Sequence, residues 1–401
     1  MRKYRLIVVM LAMATGINAQ GNNTDVGGAD DNHKSLAEHI FKFKKKSDAL
    51  NVYLNYASSF RAMDPDGHWS TSFKTKHARI EILGNITDKL SYRFRYRVNQ
   101  HNAVGSEDYV SKPTDLLMVG YQPNDKLSIE VGRICQNWGG FEYYENPIYI
   151  YQYSDMVGHM DIFMEGVNVS YKVTPTQEIA MNITNTYSDK FNVEYGDNPV
   201  LVSRAQKASR LEAAHHPLTY IFLWSGNFLN NLLQMRWSWG LQTQAKGQYG
   251  NMVALGQKLN LPSFQWYIDY MGEFDGIDRI GIATKDLGDY VADGLMGDPR
   301  FGHVHYHSLI TKANWQFAPK WNLMLKGTYE TASVTKIEKF KNYRKSIGYL
   351  ASMEYYPIPS QDLRLFLAYI GHKYDFSNKC GLKDNNTNCI ELGLIYRIKA
   401  F

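Results

Sequence analysis

The sequence predicts an all-β protein: a transmembrane antiparallel β-barrel of about 16 strands that follows a short N-terminal periplasmic helix. Three observations lead to this prediction. Apolar and polar residues alternate with a period of two in segments of roughly ten residues, the length that a tilted strand needs to cross a bilayer. Short connections rich in turn residues alternate with long polar ones. The N-terminus has the regions of a secretory signal.

The first 19 residues read as this signal peptide, with a basic start, a short apolar run and predicted cleavage after Ala19. Residues 20–48 are expected to form a periplasmic extension, in which Ser35 and Glu38 have the capping-box spacing that begins a helix. Three basic residues leave with the signal, so the formal net charge falls from +5 to +2. A nearly neutral chain without a basic binding motif excludes nucleic acid as a partner.

Residues 49–401 form the predicted barrel. An even strand number places both ends of the barrel chain on the periplasmic side. The short 246–250 connection is an exception among the expected extracellular loops, and 218–225 is the weakest segment because it is apolar on both faces. The predicted strands are 50–60, 74–84, 90–99, 116–121, 127–135, 164–173, 179–187, 218–225, 232–245, 252–260, 264–273, 304–317, 321–334, 347–356, 363–374 and 390–400.

A barrel of this width encloses water, which indicates passive diffusion of small hydrophilic solutes. Its inward strand faces carry more basic than acidic residues, so we expect a mild preference for anions. Three arginines at alternate positions of one strand could guide carboxylate or phosphate oxygens. The alternative is a plain salt-bridged wall, with Glu81 as one partner. The candidate pore residues of these strands are Arg79, Arg93, Arg95, Arg97 and Arg236.

The third extracellular connection, 136–161, is long and aromatic. It could fold into the lumen and narrow it, and its aromatic rings could either stack on sugars or pack against the inner wall. The candidate constriction residues are Trp138, Phe141, Tyr143, Tyr144, Tyr149 and Tyr151.

Other chemistry is weakly represented. Cys380 and Cys389 flank a polar stretch, which allows either a disulfide at a loop tip or two free thiols. His303, His305 and His307 share a strand face, but solvated imidazoles explain them, and we predict no metal site and no cofactor. The catalytic motifs of hydrolases and metalloproteases are not found, so we do not expect an enzyme.

The signal, the helix, the sixteen segments and the strand Leu127-Ser128-Ile129-Glu130-Val131-Gly132-Arg133 together resemble the phosphate-selective porin O and P family. The resemblance implies a porin in the outer membrane of a Gram-negative bacterium, in contact with lipid and with small solutes or anions, and a homotrimer. The family pattern has an aromatic residue and a lysine where this chain has Ile134 and Cys135. Only Arg133 is therefore carried over as a phosphate contact.

Three hypotheses follow. The first is a diffusion porin that prefers anions, and phosphate could be one of these anions. The second is a sugar-selective porin that uses the aromatic loop as its constriction. The third is a structural or surface-binding barrel that conducts poorly.

Overall fold

All sixteen predicted segments form strands, and the barrel strands pair antiparallel around a closed circle. The computed structural model describes residues 34–42, 45, 47–65, 67–100, 110–204, 207–288 and 297–401; the predicted signal peptide and its cleavage site lie outside them. The strands are β1 (Asn51–Asp64), β2 (Ser70–Asn85), β3 (Leu90–Arg97), β4 (Thr114–Tyr121), β5 (Leu127–Cys135), β6 (Phe163–Thr174), β7 (Gln177–Asn185), β8 (Pro199–Arg204), β9 (Lys207–Arg210), β10 (Leu218–Phe228), β11 (Leu233–Ala245), β12 (Gln248–Asn260), β13 (Phe264–Ile277), β14 (Asp298–Ala318), β15 (Trp321–Val334), β16 (Arg344–Tyr355), β17 (Asp362–Phe376) and β18 (Asn385–Lys399).

The barrel closes where β1 pairs with β18, from Tyr53 opposite Lys399 to Asp64 opposite Asn388. Closure leaves no open sheet edge, which a lipid environment would not tolerate. Strands β8 and β9 are not part of this circle. They form a hairpin within the long connection between β7 and β10, and β8 also pairs parallel with the start of β14. The sequence analysis treated this connection as a polar loop and missed the hairpin.

The two irregular features of the predicted strand pattern both belong to the barrel. The segment that is apolar on both faces is β10, which pairs with both β7 and β11. The short connection after β11 is a tight turn at Lys246 and Gly247, and Gly247 has a φ of 71°. A glycine adopts this left-handed conformation without the steric cost that a side chain would add.

Strand β16 shows how the alternation distributes polarity. Its Arg344, Ser346 and Glu354 are buried in the barrel, whereas Ile347 and Tyr349 are about two-fifths exposed on the outside. This order is the reverse of a soluble protein, because the outer face of a membrane barrel contacts hydrocarbon. The polar groups that determine function therefore lie in the interior.

Four short α-helices and three 3-10 turns occur in the described residues: α1 (Leu36–Phe41), α2 (Asp155–His159), α3 (Phe191–Tyr195) and α4 (Ile282–Leu287), with 3-10 turns at Glu142–Tyr144, Pro147–Tyr149 and Glu338–Phe340. None of these helices is long and apolar enough to cross a membrane.

Helix α1 begins with the predicted capping box. The Glu38 N–H donates to Ser35 Oγ at 3.2 Å, and the Ser35 N–H donates to Glu38 Oε2 at 2.8 Å. The main-chain N–H groups of Lys45 and Ser35 lower the pKa of Glu38 to about 2, because they stabilise the ionised carboxylate. The Ala37 N–H donates to the Ala400 carbonyl, so the helix is held against the end of β18.

Candidate functional site: the barrel interior

Four arginines of β2 and β3 form one cluster in the interior, and they share two carboxylates. The carboxylate oxygens of Asp115 on β4 lie 2.6 Å from the Nε of Arg97, 2.9 Å from that of Arg95 and 3.4 Å from that of Arg79. Glu81 of β2 lies 2.7 Å from Arg93. The sequence analysis named Glu81 as a partner, and this pairing is present. Because each carboxylate carries one charge, the four guanidiniums exceed their direct partners by two charges.

Asp115 is the residue of this cluster that the sequence analysis missed. The predicted strand began at Leu116, the residue after Asp115, because Pro113, Thr114 and Asp115 have a turn-like composition. In the structure β4 starts at Thr114, and the register with β3 shifts between Arg95 and Tyr96. Such a bulge redirects a side chain locally. Asp115 is only 1% exposed and accepts from Arg95 and Arg97.

The four arginines differ in their access to water. Arg79 and Arg95 are buried, whereas the side chains of Arg93 and Arg97 are 41% and 33% exposed. The Arg95 and Arg97 guanidiniums also lie over the ring of Phe163, at 5.2 and 5.8 Å from its centroid. Arg93 and Arg97 are thus the members of the cluster that a solute in the lumen would meet first.

The other two predicted pore arginines make different contacts. Arg133 is 4% exposed, and its Nε donates to the main-chain carbonyl of Thr114 at 2.8 Å. The Arg236 guanidinium covers the ring of Tyr144 in the 136–161 connection. The structure therefore brings together Arg79, Arg93, Arg95 and Arg97.

The 136–161 connection, which we call the inner loop, lies inside the barrel against the walls. Its first part contacts β11 and β13. The Gly139 N–H donates to Ser238 Oγ at 2.8 Å, and the N–H groups of Phe141 and Glu142 both donate to one carboxylate oxygen of Asp269, at 2.7 and 2.9 Å. Asp269 is fully buried, so this carboxylate fixes the start of the first 3-10 turn.

The second part of the inner loop crosses to other strands. The Tyr149 hydroxyl donates to Asp362, and the Tyr151 hydroxyl donates to Glu354 at 2.6 Å. From β2, Lys76 donates to the Tyr151 carbonyl. The loop thus connects β16 and β17 with the strand that also carries Arg79, so it passes close to the arginine cluster.

Three acidic residues of the inner loop have basic partners on the barrel wall. Glu142 pairs with Lys326 of β15. Glu145 pairs with Lys312 of β14 at 2.8 Å. Asp155, at the start of α2, pairs with Arg344 of β16 at 2.7 Å. These three pairs are buried, so each of these loop carboxylates has a direct basic partner.

The six predicted constriction residues are mostly covered by the wall. Trp138, Phe141, Tyr143, Tyr149 and Tyr151 are at most 9% exposed. The indole of Trp138 lies against Gly240, where an added Cβ would come within 2.6 Å of the ring. Tyr144 is half-buried below Arg236. Their ring faces therefore pack against protein, the second of the two arrangements that the sequence left open.

Of the two alternatives that the sequence left open for Cys380 and Cys389, the structure has the free thiols, and Cys135 is also free. Cys389 does not stand at a loop tip but within β18, where it is paired in register with Ile370. Its side chain packs in a cluster with Ile148 and Phe366, whereas Cys380 packs in a different hydrophobic cluster. The longer strand β18 separates the two thiols that the sequence places around one loop.

Comparison with known proteins identifies the type of barrel. Residues 50–398 match the family of phosphate-selective porins O and P. The chain belongs to this family. The family and the closed sixteen-strand fold make it an outer-membrane porin of a Gram-negative bacterium, and they point to a channel rather than an enzyme. None of the curated proteins compared with the chain matches it.

Solved structures show the same fold at low identity. The outer membrane channel DcaP of Acinetobacter baumannii is 12% identical with a TM-score of 0.58, and the alignment covers 88% of the porin and 99% of DcaP. OmpF of Salmonella typhi, in a complex with daunomycin, is 12% identical with a TM-score of 0.55, and the alignment covers 86% of this chain and 97% of OmpF. The trimer form of in-vitro folded OmpT of Vibrio cholerae is 9% identical with a TM-score of 0.52, and the alignment covers 87% of this chain and 100% of OmpT.

Proposed function

We propose that this porin conducts small hydrophilic solutes with a preference for anions, and that Arg93 and Arg97 provide this preference. The observation that carries the proposal is the excess of four guanidiniums over two carboxylates beside the lumen. Other charges also lie near the cluster, among them Glu130, close to Arg93, and Arg397, close to Glu81. A positive wall raises the local concentration of anions and lowers that of cations.

The inner loop supports the proposal in two ways. It lies across the lumen near Arg79, so we propose that it is the constriction that brings solutes close to the arginines. Three of its four acidic residues, Glu142, Glu145 and Asp155, are paired with wall cations, and the fourth, Asp161, accepts a hydrogen bond from Ser188. Buried ring faces speak against sugar stacking as the main function of the same loop.

Planar-bilayer recording tests the proposal. The reversal potential of the purified wild-type porin under a potassium chloride gradient should show that chloride permeates better than potassium. Millimolar inorganic phosphate should reduce the chloride current if the free N–H groups of Arg93 and Arg97 bind its oxygens. Preferential permeation of potassium would refute the anion preference. Unchanged chloride current in phosphate would restrict the proposal to small anions in general.

We also propose that the porin is a homotrimer that associates through β3, β4 and β5. These strands have 8, 8 and 9 residues, at or below the roughly 9–11 residues that span a bilayer, whereas β14 across the barrel has 21. Their outer face exposes about half of Leu117, Val119 and Val131. The apolar outer surface of these short strands is less tall than a lipid bilayer of ordinary thickness, so a neighbouring copy would cover it better than lipid does.

A further inference from the structure

We propose that Asp155, Glu330 and His372 form a binding site for one divalent transition-metal cation that fastens the inner loop to the barrel wall. The three side chains come from α2, β15 and β17. One ligand atom of each lies within 4.8 Å of the others, and all three residues are buried. A histidine nitrogen with two carboxylate oxygens is a donor set that Zn²⁺ and related cations accept.

The imidazole of His372 is the observation that points to a ligand. The residue is 3% exposed, and its Nε2 has no hydrogen-bond partner. This nitrogen lies 3.8 Å from Asp155 Oδ1, too far for a hydrogen bond but on the side where a cation would lie. The other ring nitrogen, Nδ1, is 2.7 Å from the side-chain amide of Gln152, and the ring stacks on Tyr374. Binding of a cation at Nε2 requires the ring proton on Nδ1, and the Gln152 side chain accepts that proton when its amide is turned so that Oε1 faces the ring. The stacked ring then directs Nε2 towards Asp155, and a carboxylate oxygen of Glu330 lies within 4.8 Å of the imidazole ligand atom.

Glu330 is held in the same way. Its carboxylate accepts from the main-chain N–H groups of Asp155 and Met156, at 2.7 and 3.1 Å, and from Ser308 Oγ at 2.9 Å. Each carboxylate oxygen has several lone-pair positions, so these bonds leave room for a metal. Two atoms bound to one Zn²⁺ lie about 3.3 Å apart when each bond is about 2.0–2.1 Å. The separations between the three ligand atoms, at most 4.8 Å, must therefore shorten by up to about 1.5 Å when the cation binds.

The local charges favour a cation. Asp155 and Glu330 are two buried carboxylates in one site, and Arg344 is the basic residue that pairs with Asp155. The same guanidinium also lies 3.4 Å from Asp286 of α4, so it is shared between two acids. Three carboxylates around one arginine leave an excess of two negative charges, which one divalent cation would neutralise.

The test is a calorimetric Zn²⁺ titration of the full-length mature porin in detergent, prepared without a histidine tag and stripped with a chelator. We expect one saturable site per chain. The H372A variant should bind Zn²⁺ at least tenfold more weakly. The control H305A removes an imidazole that lies beside Phe274, away from this cluster, and should bind like the wild type. Co²⁺ should give a visible absorption band that H372A lacks.

Each preparation is first checked for the heat-dependent gel migration of a folded barrel. If H372A does not fold, D155N, which keeps the side-chain volume, is titrated in its place and should show the same loss. The absence of a one-to-one site in the wild type, or equal affinity in the folded variant, would overturn the inference. Zn²⁺ binding is measured without any current, so its failure is independent of the anion preference.

Discussion

The exposed arginines of β3 permit a quantitative prediction. We expect the double variant R93Q/R97Q to lose most of the anion preference, because it removes the two water-accessible charges of the cluster. At a distance of about 7 Å in water, one unit charge changes the energy of a passing ion by about 0.6 kcal/mol. Screening at 0.1 M salt, where the Debye length is about 10 Å, reduces this to about 0.3 kcal/mol.

This energy favours the anion and disfavours the cation by the same amount. The ratio of chloride to potassium permeability should therefore fall about threefold for one arginine and about sevenfold for two. At 1 M salt the Debye length is about 3 Å, and the difference between variant and wild type should almost vanish. The salt dependence separates an electrostatic effect from a change in pore width.

Reversal potentials in planar bilayers, measured at 0.1 M and 1 M mean salt, provide the assay. The matched control is K246Q, which removes one positive charge from the turn between β11 and β12, where the side chain is 64% exposed and pairs with Glu212 outside the cluster. A permeability ratio in R93Q/R97Q within about 1.5-fold of the wild type at 0.1 M would refute the reasoning. Glu81 keeps Arg95 and Arg397 as electrostatic neighbours in this variant, so the fold should persist.

Three further predictions concern the inner loop and the assembly. The variant D269A removes the acceptor of two loop N–H groups and should increase single-channel conductance and current noise, whereas D269N, which keeps an oxygen there, should stay near the wild type. The variant K326M leaves Glu142 buried without its cation and should destabilise the barrel by about 3–5 kcal/mol in urea titrations, and K326M/E142Q should recover most of this. For the trimer, V119K should yield monomers by light scattering, while L309K across the barrel should not; equal masses for the two would contradict the proposed contact.

The fold was predictable because every transmembrane strand repeats the same local rule. Apolar and polar residues alternate at consecutive positions of one segment, so β16 or β17 can be recognised without knowledge of any other strand. The helix α1 was predictable for the same reason, since Ser35 and Glu38 are three residues apart. The hairpin of β8 and β9 was not, because its strands are only 6 and 4 residues long.

The interior was predictable only where partners are on neighbouring strands. Glu81 of β2 is opposite Arg95 of β3 and reaches Arg93 diagonally, and Glu81 was expected as a partner of the β3 arginines because one turn joins the two strands. Asp115 was missed because a bulge decides its direction. The loop pairs of Glu142 and Glu145 were missed for a different reason: their lysines lie 184 and 167 residues further along the chain, and no local pattern encodes such a contact.

The division between the two sides of the lumen explains why few residues can determine selectivity in a barrel that contains many charges. A buried ion pair such as Lys312 with Glu145 acts on a passing ion as a dipole, and the field of a dipole decreases with distance faster than that of a single charge. Arg93 and Arg97 are more exposed than the cations paired with the loop, and their cluster has uncompensated charge. Neutralising Lys312 together with Glu145 should thus change the permeability ratio far less than R93Q/R97Q does. A larger effect of the K312M/E145Q pair would show that the inner loop, and not β3, sets the charge preference.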